Sequence, residues 1–174
     1  MAEKGKTVYR IVINGSQEAI FKELTATDRL LPAIFNSRMR TTGLKPGGRM
    51  QMHTMTGKHV MVDGEVVEYD PPRRFSHTHR FTGYDDPVCR VTYDLKPVSG
   101  GVEVTLTVDD LPLGTKTAKE MAKGGMFILN NLKAIVETGR APLGTRLMYA
   151  MFRHLEFVLP SRAKTEHWPL EGRK

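Results

Sequence analysis

The sequence predicts an α+β fold in which a curved antiparallel sheet wraps round one long helix. Three observations predict it. Residues 37–110 read as β-branched, alternating segments punctuated by short Gly- and Pro-containing turns. Residues 115–139, TKTAKEMAKGGMFILNNLKAIVETG, form one long amphipathic helical pattern. The order along the chain is strand, two helices, six strands, long helix, and short turns between strands make a sequential antiparallel sheet. Such a sheet must bury one face, so the long helix covers it and the two early helices close one end.

Each element follows from its residues. TVYRIVIN, residues 7–14, alternates and is rich in β-branched side chains, as a strand requires. Ser16 is an N-cap for a helix through QEAIFKEL, with Ile20 and Leu24 four apart on its buried face. Asp28 caps a second short helix, RLLPAIF, limited by its internal Pro32. SRMRTT is a strand, GLKPGG a turn, RMQMHTM a strand, TGK a turn and HVMVDGEVVEYD a longer strand. Asp70-Pro71-Pro72 ends it, because proline offers no ladder donor and restricts its predecessor. FSHTHRF is the next strand and GYDDP a loop. VCRVTYDLKPV and VEVTLTVDD follow, joined by SGG as a hairpin. In the long helix Met121, Ile128, Leu132 and Ile135 form the apolar stripe, and Gly139 is the C-cap. Gly124 and Gly125 weaken that helix locally and call for a close approach of another group. A further helix is expected over Leu143–Leu159, ended by Pro160, with Leu143, Leu147, Met151, Leu155 and Val158 on one face. The chain thus divides into a sheet-and-helix domain over 1–139 and a helical extension over 140–174.

Composition narrows the function. A chain of 174 residues, 40% hydrophobic, can bury a useful core as one domain. Cys89 is the only cysteine, which excludes an intramolecular disulfide and fits a reducing, cytoplasmic setting. MAEKGKTVYR has no apolar signal segment. The longest apolar stretch, near Leu147–Phe152, is too short for membrane insertion. The net charge of +7 is scattered, with no basic block interleaved with aromatics, so no nucleic-acid partner is expected.

Three stretches together resemble a known family. GEVVEYDPPRRFSHTHRF, CRVTYDLKPVSGGVEVTLT and GGMFILNNLKAIVETG are similar to the conserved strand, hairpin and helix stretches of SRPBCC proteins of the AHSA-like type, related to the activator of heat-shock protein 90 ATPase. The resemblance covers about residues 7–139. It implies the helix-grip fold, often with a cavity between sheet and helix. The family's helix tryptophan is Gly125 here, its second-helix tryptophan is not evident, and the aromatic pair after DPPRR is His77 and His79. Smaller or more polar groups at these places lead to the expectation of a larger, wetter pocket. The chaperone-activating role belongs to a larger protein with an extra domain, so the resemblance does not bring it to a chain of this length.

FSHTHRF carries the functional question. Alternation puts Phe75, His77, His79 and Phe81 on one face. A metal site would need further ligands, with His53, His59, Glu65 and Glu68 as the candidates, and a bare HxH is a weak signal. No metal and no cofactor is therefore expected. A general acid or base at His77 or His79, as in a cyclase, dehydratase or hydrolase, would need a nucleophile or orienting partner, and Tyr93 is the best-placed neighbour. The preferred reading makes the two histidines polar groups in the wall of a site for a small, mainly apolar ligand. Phe75, Phe81, Val91, Tyr93 and Leu106 line it from the sheet, and Met121, Gly125, Ile128 and Leu132 from the helix. The bland alternative is that both are half-buried sheet residues in a filled interior. A protein-interaction or stress-response module is the remaining class. The seam on the last helix is too apolar to leave in water. Its polar side carries Thr145, Arg146, Arg153 and Glu156. Docking on its own domain or a homodimer through that helix is expected ahead of a lipid contact. Trp168 and Pro169 are expected to anchor the end of the tail.

Overall fold

The computed structural model describes residues 3–171. Eight strands form one antiparallel sheet: β1 (Lys4–Ile13), β2 (Leu30–Leu31), β3 (Ser37–Thr41), β4 (Arg49–His53), β5 (Val60–Asp70), β6 (Arg74–Phe81), β7 (Cys89–Val98) and β8 (Gly101–Pro112). Their spatial order is β1-β8-β7-β6-β5-β4-β3-β2. The sheet is therefore sequential from β2 to β8, with β1 returning to pair with β8, for example Val8 opposite Thr107. Helix α1 (Gln17–Thr25) fills the β1–β2 connection, and α2 (Lys116–Thr138) packs on the concave face; α3 (Leu143–His154) follows. This is the helix-grip arrangement of an α+β fold.

Local chemistry sets the helix limits. Ser16 Oγ accepts from Ala19 N at 3.1 Å, and Thr115 Oγ1 accepts from Ala118 N at 3.3 Å, so both expected starts are capped by side chains. Gly139, at φ +80°, ends α2 in the left-handed conformation that glycine adopts without strain. The core lies between α1, α2 and the concave face. Ile20, Leu24, Leu129 and Leu132 meet Ile13, Val104 and Leu106 there, all essentially buried.

Two expected elements differ. RLLPAIF is not a helix: Leu30 and Leu31 pair with Arg38 and Ser37 as a short strand, and the chain then turns. Phe35 and Asn36 both sit at φ +52°, and Ile34 O accepts from Ser37 N and Ser37 Oγ. Leu31 and Ala33 are wholly buried by this turn, so burial at alternate positions overrides the helical pattern. The last helix stops at His154, not Leu159. Glu156 is drawn inward, and residues Glu156–Val158 form a 3-10 turn in place of helix.

The tail after α3 crosses the other side of the sheet. Thr165 N donates to Lys58 O at 3.0 Å, and Gln51 Nε2 donates to Trp168 O at 3.1 Å. Trp168 is 7% exposed, with Arg80 over its indole ring and Nε1 donating to Arg162 O. Trp168 thus anchors the tail end against the sheet.

Candidate functional site

Strand β6 builds the site. Its inward side chains form a row of rings: Phe75 to His77 at 5.2 Å, His77 to His79 at 5.8 Å, and His79 to Phe81 at 4.7 Å between centroids. Tyr69 extends the row beyond Phe75 and Tyr84 extends it beyond Phe81. The period-2 geometry of a strand is what places all four on one face. The neighbouring strand presents Tyr93 opposite Phe75, Val91 opposite His77 and Cys89 opposite His79. Phe75, Val91, Tyr93, Leu106 and Leu132 are buried, and Phe81, Met121 and Ile128 are half-buried on the same core.

Gly125 has a partner that sequence reasoning missed. A Cβ built on it would lie 2.2 Å from Tyr9 Cε2. The Tyr9 ring thus packs directly on the α2 backbone, and its Oη donates to Met121 O at 3.4 Å. The space at Gly125 is filled from the sheet. An aromatic residue on the inward side of β1 and a glycine on the buried side of α2 were the available signal.

The two histidines differ in their bonding. His77 is 4% exposed and its Nδ1 lies 2.9 Å from Thr78 O. A carbonyl only accepts, so Nδ1 carries the proton and Nε2 is left as an acceptor. Burial lowers the His77 pKa to about 4, against which the Thr78 carbonyl works only partly. His79 is neutral for the same reason: burial, and then the neighbouring His77, hold its pKa well below the ordinary value. Both His79 ring nitrogens are buried and neither has a hydrogen-bond partner. The residue as a whole is nevertheless only half-buried, at the end of the row where Phe81 is also half-buried.

Reactive neighbours are held in unreactive forms. Burial pushes the Cys89 thiol up to about 12, and its Sγ faces His79 O at 3.6 Å. A thiol in that state is no nucleophile at neutral pH. Burial likewise raises the Tyr93 pKa, so its hydroxyl keeps its proton.

The remaining candidate metal ligands lie elsewhere. His53 Nε2 is 3.0 Å from Gln51 Oε1, and His59 Nδ1 is 2.9 Å from Glu156 Oε1. Glu68 pairs with Arg74, and Glu65 is exposed. Among the described residues no three His, Cys, Asp or Glu side chains converge as a metal site requires.

A surface groove of about 500 Å³ opens at the Tyr69 end of the row. Its walls include Glu18, Phe21, Lys22 and Asp28 near α1, and Tyr69, Pro71 and Pro72 at the β5–β6 turn. Tyr69 touches Phe21 and Phe75, so it joins the groove to the ring row.

Comparison with solved structures bears out the fold. A protein of Mesorhizobium loti, MLL2253, superposes with a TM-score of 0.62 at 20% identity, over 76% of this chain and 97% of that one. The Aha1 dimer of Colwellia psychrerythraea gives 0.61 at 19% identity, over 78% and 98%. CalU16 of Micromonospora echinospora gives 0.61 at 14% identity, over 86% and 92%. At these identities the likeness is one of fold. A search of curated proteins gave no match. The family model described as "Activator of Hsp90 ATPase homolog 1-like protein" matches residues 14–137, from the end of β1 through α2, and stops before α3. The chain belongs to the Activator of Hsp90 ATPase homolog 1-like family, within the SRPBCC type that its sequence resembles.

Proposed function

We propose that the protein binds a small, mainly apolar ligand between β6–β7 and α2, with His77 and His79 as its polar contacts. The observation that carries this reading is the His79 imidazole, with two buried and unpartnered nitrogens. An unsatisfied buried polar group costs about 1–3 kcal/mol, and a ligand group that both donates and accepts relieves that cost. A neutral imidazole offers one donor and one acceptor. His77 adds one acceptor, Nε2, because its Nδ1 proton faces Thr78 O. A hydroxyl or protonated carboxyl at the end of an apolar body matches this set, and Phe75, Phe81, Val91 and Ile128 match the body. Binding alone is proposed. Among the described residues His79 has no hydrogen-bonded partner to orient it as an acid or base, and Cys89 holds its proton.

Fluorescence titration with N-phenyl-1-naphthylamine, competed by a medium-chain fatty alcohol, tests the reading. The probe is expected to bind the wild-type chain and the alcohol to displace it. His79→Phe fills the polar position with the family's aromatic type, and is expected to keep the probe and lose competition by the alcohol at least tenfold. Absence of probe binding, or equal competition by alcohol and alkane in both proteins, overturns it.

A further inference from the structure

Helix α3 presents its apolar seam to solvent. Leu143, Leu147, Met151 and Leu155, four apart in sequence, are 67%, 64%, 52% and 41% exposed, and Phe157 and Val158 continue the patch. The helix is held to its own domain from a different side. Tyr149 is its one buried residue, with Oη donating to Pro32 O at 2.8 Å, and Thr145 Oγ1 donates to Asn131 Oδ1 at 2.9 Å. Docking on the domain therefore leaves the seam uncovered, contrary to the simplest expectation for so apolar a stripe.

The charges beside the seam select its partner. From Thr138 to Thr165 the sequence holds one acidic residue, Glu156. Glu156 is buried, where it accepts hydrogen bonds from Thr54, Thr56 and His59. Arg140, Arg146 and Arg153 are exposed. The sequence pattern alone balances these arginines with Glu156, but the fold removes the acid from the surface. What remains is an apolar stripe whose own segment supplies exposed arginines and no exposed acid. A two-fold pairing of this face would bring both sets of arginines into one interface with no exposed acid from the segment to offset them. An anionic bilayer surface supplies the missing negative charge and an apolar layer for the leucines.

We propose that α3 and the turn after it lie in the plane of a membrane surface rich in anionic phospholipid, with the seam in the headgroup–acyl boundary and Arg146 and Arg153 at the phosphates. This is surface attachment: among the described residues no helix is long and apolar enough to cross a membrane. It is independent of the ligand reading, since it rests on α3 and the turn after it and not on the ring row.

Flotation of the full chain with phosphatidylcholine vesicles, with and without phosphatidylglycerol, tests the proposal. Binding is expected only with phosphatidylglycerol present, and it is expected to weaken as salt rises. Each cation near such a surface contributes about a fivefold factor in partitioning, so Arg146→Gln with Arg153→Gln lowers it about thirtyfold. Leu147→Glu with Met151→Glu abolishes binding, and because both side chains are exposed the circular dichroism and melting of the protein stay as in wild type. Three results overturn the proposal: no flotation with phosphatidylglycerol vesicles, undiminished flotation of the folded Leu147→Glu/Met151→Glu chain, or a wild-type dimer by light scattering that this double substitution splits.

Discussion

The ring of Tyr9 and the backbone of Gly125 are in direct contact, so close that a methyl group at position 125 would sit 2.2 Å from Tyr9 Cε2. One strand and one helix are thereby locked at a distance that only glycine permits. The contact explains the glycine at 125 in the middle of a 23-residue helix, whereas a Cβ at Gly124 would meet only Phe35, at an ordinary 3.8 Å.

Gly125→Ala is expected to destabilise the protein by about 1–3 kcal/mol, as overpacking does, although alanine alone would gain roughly 1 kcal/mol in helix propensity. In a Tyr9→Ala background the sign reverses and Gly125→Ala becomes stabilising. Urea denaturation of the four members of this double-mutant cycle measures the coupling, expected between about 0.5 and 3 kcal/mol.

The buried histidines make stability depend on pH. Both have folded-state pKa values below the ordinary 6.5, so the unfolded chain binds more protons. Their contribution is complete above about pH 6.5 and is lost as pH falls, for His77 until its folded value of about 4 is passed. Each titrating histidine gives a slope of about 1.4 kcal/mol per pH unit in that window, or about 3 kcal/mol in all for His77. Denaturation midpoints between pH 7 and pH 4 check this. His77→Phe, which keeps the ring in the row, is expected to flatten the slope, and an unchanged slope contradicts the assignment.

Glu156 clasps the tail and titrates lower. Burial works to raise its pKa, but the hydrogen bonds from Thr54, Thr56 and His59 prevail and hold it below the ordinary carboxylate value of 4.5. Its folded pKa being depressed, the clasp is present above that value and is lost as pH falls through the lowered one. Trp168, the only tryptophan, reports the event because it anchors the same tail. Its emission is expected to shift to the red with acid. Glu156→Gln is expected to show part of that shift at neutral pH without loss of helical circular dichroism. An unshifted spectrum in Glu156→Gln argues against the clasp.

Tyr149 fixes α3 through one hydrogen bond to the buried turn at Pro32. Tyr149→Phe removes only the hydroxyl and is expected to cost about 1 kcal/mol. The loss should appear in hydrogen exchange of α3 amides before those of α2, because α3 is held by few buried side chains.

Much of the fold was legible because its signals are local. Ser16, Thr115 and Gly139 mark helix ends through their own side chains or backbone freedom, and alternation in FSHTHRF places four rings on one face without any tertiary knowledge. RLLPAIF misled because its apolar residues satisfy two periods, and the turn that replaces the helix is buried partly against Tyr149, more than a hundred residues away. The early stop of α3 is equally non-local, since Glu156 leaves the helical path for a hairpin formed by Thr54 and His59. In the site, the residues of the row were readable from strand period. The bonding of His77 and the isolation of His79 were not, because they depend on which nitrogens the surrounding strands leave unpaired.

The pairing of β1 with β8 sets the order in which the chain can complete itself. β1 is synthesised before the other seven strands of the sheet, yet its partner residues lie near 102–112. Until the ribosome has released that stretch, β1 has no edge to join and its inward side chains, Tyr9 and Ile11 among them, stay wet. Bringing the two together closes a loop of about a hundred residues, the slow kind of contact in folding kinetics. A cut anywhere between α1 and β8 therefore leaves β1 on one fragment without its partner and β8 on the other with an open edge.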